Sequence, residues 1–416
     1  MQPLRGTKDI LPEEVILWQH IYNTVHKILT LSNYNEIRTP IIETTNLFQR
    51  SIGDDTDIMN KEMYNFIDQS NRNITLRPEG TASIARSFIS NKLYSSNTTQ
   101  RLWYLGPMFR YERPQNGRQR QFHQLGIECI GSSSPMADVE VIRLANKILQ
   151  AFQCNNYNIE INSIGNLEER NNYKNILIEY IKPYIKDLDQ ESQKRLYTNP
   201  LRILDSKNLQ TQEILNEAPK LISVLNSNSI EHFNQVCDLL KYLNIQYTIN
   251  HKLVRGLDYY NDTAFEIQSN ILGSQNTICG GGRYDSLIKQ LGGPDTPSVG
   301  WAIGLERLVL ILQNNLNISK NNPSVYIIHN SIEAKYKIWE LIQVLEQNKI
   351  KFDLDLSLNT LQKQLKKAYN SGSLACIIIG ENELKTASIT LRKLSNNAQK
   401  TIPITSLIKE LKTFLL

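Results

Sequence analysis

The stretch Phe109–Gly131, FRYERPQNGRQRQFHQLGIECIG, decides how the rest of the chain is read. It joins two runs, RLWYLGPMFRYE (101–112) and RQFHQLGIECIG (120–131), through the polar loop RPQNGRQ. Both runs predict strands, and Gly117 gives the loop the φ freedom that a hairpin turn wants. Arg110, Arg113, Arg118 and Arg120 crowd together here, interleaved with Glu112, Gln115, Gln119, Gln121 and Gln124. Strand side chains alternate with period two, so Arg110, Glu112 and Gln124 share one face if the strands pair. An arginine on a rigid strand suits phosphate, because its planar fork bonds bidentately and stays charged. The loop arginines and amides reach outward, where a flexible polyanion can be gripped. The plainer alternative is a basic, solvated hairpin tip.

Working outward, TLRPEGTASIAR (75–86) turns sharply at Pro78 and Gly80 into a helix. Glu79 and Thr81 can both point into a cleft and hold an ammonium group, or Thr81 can simply cap the helix. LVRGLDYYNDTAFEIQ (253–268) reads as a strand carrying Arg255, Asp258, Tyr259 and Tyr260, with Gly256 permitting close backbone approach. There the plainer alternative is an ordinary strand with one buried Arg255–Asp258 pair. TICGGGRYDSLI (277–288) also reads as a strand, and its three consecutive glycines mark close approach by a ligand or another strand. SVGWAIGLERLVLILQ begins a buried helix that reaches about residue 313. Arg307 stands at a helix start among apolar neighbours, where a cation needs an anionic partner, either Glu306 or a ligand.

The chain has 416 residues, 40% of them hydrophobic and 21% charged, as expected of a globular protein with two or three domains. No run approaches the ~20 apolar residues of a membrane span, so a membrane partner is not expected. The opening MQPLRGTKDILPEE has neither an apolar signal core nor an acid-free, Arg-rich presequence. Five scattered cysteines without a CxxC pair argue for free thiols in a reducing compartment, against a disulfide framework or a zinc cluster. The net charge of +5 is too mild to name a nucleic-acid partner. Abundant Asn, Ile, Lys and Tyr reflect AT-rich codons. No GK[ST] follows the glycines, and GxGxxG, HExxH and GxSxG are absent, which leaves no Walker, Rossmann, zincin or nucleophile-elbow site. The six histidines are dispersed, and only His123 lies among the arginines.

Residues 13–32 predict an amphipathic helix with Pro12 as its start signal, and NEIRTPIIETTNLF an extended segment around Pro40. A second helix is expected over 136–153 and a strand over 158–165. From about 167 to 250, polar helical segments dominate, which suggests a helical insertion. NNLNISKNNP (314–323) is a linker by composition. Beyond it, SVYIIH, FDLDL, ACIIIG and ASITLR alternate with helices between the first three, the βαβ signature of a separate α/β domain.

Together these segments resemble one family, the histidyl-tRNA synthetases among class II aminoacyl-tRNA synthetases. RGTKDILPEE, EIRTPIIE, LRPEGT, FRYERPQNGRQRQFHQLGIE, LVRGLDYY, GGGRYD and GWAIGLERL match in order and spacing over essentially the whole chain. FRYE and GLER mark the class; LVRGLDYY and the GRQRQFHQ loop mark the amino acid. The resemblance implies an α+β fold: an antiparallel sheet flanked by helices in a catalytic domain over 1–322, with the insertion at about 167–250, and an α/β anticodon-binding domain over 324–416.

It also implies roles. Arg110 would hold the ATP α-phosphate, Glu112 the adenine amino group and Phe122 the adenine face. Arg307 would take the γ-phosphate end, with Mg²⁺ carried on the phosphates rather than by a protein cluster. Glu79, Thr81 and Gln124 would hold the histidine ammonium, and Glu128 and Tyr260 the imidazole, with Tyr259 beside them. Arg255 would sit between the substrate carboxylate and the α-phosphate. Arg113 and Gln115 match positions that contact the extra 5′ guanosine of histidine tRNA, and Arg118 is placed with them at the acceptor end. The implied reaction is histidine activation by ATP, then transfer to the 3′ end of tRNA(His). EIRTPIIE implies a homodimer. The location expected is cytoplasmic, or the plastid stroma for a chain encoded in an AT-rich organelle genome. The alternative is a non-catalytic, synthetase-like regulatory paralogue, although such relatives lose the arginine set and the C-terminal module that this chain keeps.

Overall fold

Pro12 opens the first helix, α1 (Pro12–Leu31), with Glu13 and Glu14 in its first turn, where carboxylates complement the helix dipole. Leu17, Ile21, Val25 and Ile28 recur at helical spacing and are buried. The segment around Pro40 runs extended as β1 (Asn35–Glu36) and β2 (Ile42–Thr44), then turns helical as α2 (Thr45–Ile52). β3 (Tyr64–Ile67), β4 (Asn73–Leu76) and α3 (Thr81–Ser90) follow, and β2, β4 and β3 pair into a small antiparallel sheet. The computed structural model describes all residues except 54, 55, 57, 97, 116, 272–275, 314–322, 330, 332, 358 and 416. Most of the linker expected at 314–323 therefore lies outside the described residues.

The hairpin forms as β5 (Gln100–Phe109) and β6 (Gln121–Ile130), antiparallel, with Gly106 opposite Gln124. Along β6, Leu125, Ile127 and Cys129 enter the main core, so Gln124, Gly126 and Glu128 belong to the other face. Ser134 caps α4 (Pro135–Ala151), its hydroxyl accepting from the Met136 backbone N–H at 3.2 Å. After β7 (Asn158–Ser163) the insertion contributes α5 (Leu167–Ile181), α6 (Gln190–Thr198), α7 (Leu209–Asn216) and α8 (Ser227–Tyr242), then the short strand β8 (Thr248–Ile249). Asn166, Asp189, Asn208 and Asn226 cap these four helices, so the abundant asparagine does local work here.

β9 (Asn261–Gln268), β10 (Thr277–Arg283), α9 (Leu287–Gln290), β11 (Ser298–Gly304) and α10 (Leu305–Gln313) complete this unit. Two segments depart from the sequence reading. The strand expected from residue 253 begins only at Asn261. Tyr259 and Tyr260 are neighbours in sequence and both buried, with ring centroids 4.6 Å apart, which period-two alternation forbids. SVGWAIG is a strand rather than the start of a helix. It is buried on both faces, so its continuous apolar run carries no helical period, and the helix starts at Leu305.

The eight-stranded sheet runs β1-β5-β6-β11-β10-β9-β7-β8, its six central strands antiparallel and its two short edge strands parallel to their neighbours. One face is covered by apolar side chains of α1, α4, α8 and α10. The other packs against α3 and the insertion. All five cysteines are free. Among the described residues no helix is long and apolar enough to cross a membrane.

The chain divides into compact units Met1–Ile318 and Ser319–Leu416. The second holds β12 (Val325–His329), α11 (Ala334–Gln347), β13 (Phe352–Leu354), α12 (Leu361–Asn370), β14 (Ala375–Ile379), α13 (Glu381–Lys385), β15 (Ser388–Lys393), β16 (Gln399–Pro403) and α14 (Leu407–Leu415). Its sheet runs β13-β12-β14-β15-β16; the first three strands are parallel and the last two antiparallel. α11 and α14 pack on one face, and α12 on the other. β16 was not expected: QKTIP is a mostly exposed edge with no apolar alternation to announce it.

Candidate active site

The face of the large sheet turned away from α1 and α4 carries a cleft of about 1090 Å³. Gln124, Glu266, Gly280 and Ala302 line it, each one step from a core residue: Leu125, Phe265, Cys279 and Ile303. The same alternation that builds the core thus aims this polar set outward.

At one end lie the candidate histidine-binding residues. Glu79 caps α3 from outside the helix, its carboxylate accepting from the backbone N–H of Thr81 at 2.7 Å and of Ala82 at 2.8 Å. That is the capping task the plainer reading gave to Thr81. Burial raises the Glu79 carboxyl above the ordinary range, opposed by those two N–H groups. The Thr81 hydroxyl is thereby free to donate to Oε1 of Glu128 at 2.7 Å, and the Tyr284 hydroxyl donates to Oε2. Glu128 is 1% exposed, and burial pushes its carboxyl up to about 8 against those two hydroxyls. It lies beneath the cleft, whose wall is formed here by Glu79, Thr81, Gln124, Tyr259 and Tyr260. Only a glycine fits opposite it: a Cβ on Gly300 would stand 1.9 Å from Glu128 Oε2.

At the other end three arginines converge. Arg110 follows β5, donates from Nε to the Pro78 carbonyl at 2.9 Å and lies over the Phe122 ring, 5.3 Å from its centroid. Arg255 pairs with Glu266, not with Asp258, whose carboxylate accepts from Asn199. Burial disfavours the Arg255 charge, but Glu266 and the neighbouring tyrosines more than offset this and raise its pKa. Arg307 is not partnered by Glu306, which accepts from the backbone N–H and Nδ1 of His123. It donates instead to the carbonyls of Thr277 at 2.5 Å and Gly117 at 3.4 Å, and burial together with the nearby Arg118 lowers its pKa. Glu112 Oε2 pairs with Arg118 at 3.1 Å. Arg113 and Gln115 are exposed outside the cleft, on the loop between β5 and β6. Gln124 Oε1 and Arg255 Nε are buried without a hydrogen-bond partner, an acceptor and a donor directed at no protein group. Among the described residues no cluster of three or more His, Cys, Asp or Glu could hold a metal ion.

Sequence reasoning missed several contributors. Tyr284 lies inside GGGRYD, where the glycines are the conspicuous feature and no pattern marks the tyrosine. Glu266 alternates regularly with the core residues Phe265 and Ile267, and that period was the signal that it faces the cleft, as Gln268 does. Buried Arg77 ties the turn before α3 to the carbonyls of Thr39 and Pro107, each at 2.9 Å. Asp205 and Lys207, from the insertion, line the cleft without any motif to mark them.

A sheet of this order, with arginines converging on its open face and no glycine-rich phosphate loop, is the layout of the class II aminoacyl-tRNA synthetases. The family model described as histidyl-tRNA synthetase matches residues 6–308, and that of an anticodon binding domain matches 324–414. The chain belongs to the histidyl-tRNA synthetase family. It is 62% identical to the chloroplastic histidine–tRNA ligase of Gracilaria tenuistipitata var. liui, over 99% of this chain and 98% of that one. It is 49% identical to the histidine–tRNA ligase of Rippkaea orientalis, over 99% and 96%. Apo S. aureus histidyl-tRNA synthetase superposes with a TM-score of 0.82 at 36% identity, covering 99% of this chain and 100% of that one. The catalytic reading, that of a histidine–tRNA ligase, therefore stands over that of a regulatory paralogue.

Proposed function

We propose that residues 1–322 activate L-histidine with ATP in this cleft and pass the histidyl group from the adenylate to the 3′ end of tRNA(His), and that 324–416 bind its anticodon. The observation that carries the assignment of the cleft is the convergence of Arg110, Arg255 and Arg307 on one side of the Thr81–Glu128 pocket. Adenylate formation brings a carboxylate onto a polyphosphate. Two anions must meet while negative charge grows on the α-phosphoryl oxygens, so fixed cations supply most of the catalysis. Arg110 and Arg255 are the catalytic pair: Arg110 holds the α-phosphate and Arg255 bridges it to the histidine carboxylate. Phe122 and Glu112 take the adenine, and Arg307 the γ-phosphate end. Mg²⁺ would be carried by the ATP phosphates rather than by a protein cluster, and would supply charge screening there.

Glu79, Thr81 and Gln124 hold the histidine ammonium; Glu128, Tyr259 and Tyr260 select the imidazole. An analogue without ring nitrogens leaves such buried groups unpaired, which discriminates strongly without editing. Arg113, Gln115 and Arg118 meet the tRNA acceptor end. The exposed apolar Ile41, Ile42, Phe66 and Ile67, on and beside the small sheet, suit a homodimer contact, which light scattering on the pure protein checks. The chloroplastic names of the red algal relatives favour the plastid stroma, testable by organelle fractionation.

The deciding experiment is ATP–pyrophosphate exchange across amino acids. Exchange should require histidine; exchange with proline or threonine and none with histidine ends the assignment. Truncation after residue 322 should spare exchange and cripple tRNA charging, whereas equal loss of both refutes the division of labour.

A further inference from the structure

Arg255 and Arg307 come from distant parts of the chain, yet one short segment touches the supports of both. The Arg255 guanidinium crosses β10 in the slot that Gly280 leaves open, where a Cβ would stand 2.3 Å from Nη2. Its Nη1 pairs with Oε1 of Glu266 on β9. The other carboxylate oxygen accepts from the Thr277 hydroxyl at 3.0 Å and the Gln268 amide at 3.2 Å. The backbone carbonyl of the same Thr277 accepts from Arg307 Nη1 at 2.5 Å. The β9–β10 register slips between Thr277 and Cys279, skipping Ile278. Irregularities of this kind re-aim side chains beside active sites, and here the slip falls at the residue that serves both arginines.

We propose that Glu266 and Thr277 form a bracket that sets the spacing and orientation of Arg255 and Arg307, making them positioning residues for adenylate formation. A bare carboxylate facing a triphosphate would oppose binding. Glu266 is tolerated in this cleft because a guanidinium, a hydroxyl and an amide consume its two oxygens. What it contributes is direction: a guanidinium on a long side chain is held in one pose, and the carbonyl end of the same bracket fixes the second cation relative to it. Misplacing a reacting group by about 1 Å costs about 100-fold in rate, so such a bracket acts on turnover more than on binding.

This inference rests on Arg255 being catalytic, and the tests separate the two claims. In histidine-dependent exchange, an Arg255→Ala variant that keeps full activity removes that reading and the bracket with it. If Arg255→Ala is impaired, Glu266→Gln should lower kcat by about 100-fold while the KM values for ATP and histidine shift less than about 3-fold. In the Arg255→Ala background the same change should cost far less than it does alone, because its direct ion-pair partner is already gone and only the Thr277 arm to Arg307 is left for it to act through. Thr277→Val should lower kcat by about 10-fold, the size of one lost hydrogen bond, and Thr277→Ser should restore most of it. Near-normal kcat in Glu266→Gln, additive losses in the double variant, or recovery of Glu266→Gln by raised Mg²⁺, which would make Glu266 a metal-facing group, each overturns the bracket. Should Glu266→Gln fail to fold, the Val and Ser variants at 277 decide alone: unchanged kcat in Thr277→Val refutes it.

Discussion

Residues 1–323 hold 33 Lys and Arg against 33 Asp and Glu, and 18 of those cations are arginines. Residues 324–416 hold 13 against 8, and 12 of the 13 are lysines, so the whole net charge of +5 belongs to this C-terminal stretch. The two regions use positive charge for different ends. In the catalytic unit the charge balances, and the arginines are fixed one by one: Arg110 on the Pro78 carbonyl, Arg255 on Glu266, Arg307 on the Thr277 carbonyl. In the C-terminal unit Lys363 and Lys366 stand exposed on α12, beside Lys367, which pairs with Asp355. A planar fork held in one pose serves a reacting phosphate; a mobile ammonium contributes to a field that draws a polyanion whatever its detailed pose. Geometry is bought with arginine, and reach with lysine.

The sharpest way to break this contrast is to exchange one cation for the other. Arg255→Ala should cut histidine-dependent exchange by about 10³-fold while the fold persists. Arg255→Lys keeps the charge but loses the fork, and should recover less than a tenth of the loss. If the lysine variant exchanges nearly as well as wild type, position rather than mere charge was the wrong explanation for the catalytic unit. In the other unit Lys366→Arg should leave charging of tRNA unchanged, since nothing there depends on a fork.

A smaller effect is expected from charge removal in the C-terminal unit. Lys363→Ala with Lys366→Ala should raise the KM for tRNA and flatten its dependence on salt by about one unit of log–log slope per lysine. Exchange without tRNA should be untouched. An unchanged salt slope would place the RNA on another face of this unit, away from α12.

How much of this was legible beforehand follows from the kind of signal each part leaves. The β5–β6 hairpin was readable because two strand-like runs flank a polar loop with Gly117, and period two put Gln124 on the face opposite Leu125; Arg110 and Glu112, expected on the first strand, lie beyond its end at Phe109. The resemblance named Arg110, Arg255 and Arg307, and the structure brings all three to one cleft. Their partners were not readable. Glu306 sits beside Arg307 in sequence yet turns to His123, and Arg255 reaches past Asp258 to Glu266 across a neighbouring strand. Those choices depend on which side chains long-range strand pairing brings close, and on a register slip at Ile278 that no local pattern announces. SVGWAIG differs from the expected helix for a related reason. A strand buried on both faces shows an unbroken apolar run, and period is then silent.

The contrast between the units has an inner counterpart, a site in the catalytic unit where charge is withheld. Glu128 lies under Thr81, sealed by Gly300 and Tyr284, and burial pushes its carboxyl up to about 8. In the unfolded chain the same carboxyl ionises in the ordinary carboxylate range. Between those two values the folded protein keeps a proton that the unfolded chain has lost, so unfolding releases it and stability falls as pH rises through the window, levelling above about 8. Glu79, raised in the same direction by burial, adds a smaller slope of the same sign. Glu128→Gln replaces the neutral acid with a neutral amide of similar shape that can still accept from Thr81. The decline in Tm between pH 5 and pH 8 should therefore be shallower in the variant by an amount on the order of a few degrees. An equal decline in both proteins would mean that Glu128 is ionised in the fold, and that charge is not withheld at this end of the cleft after all.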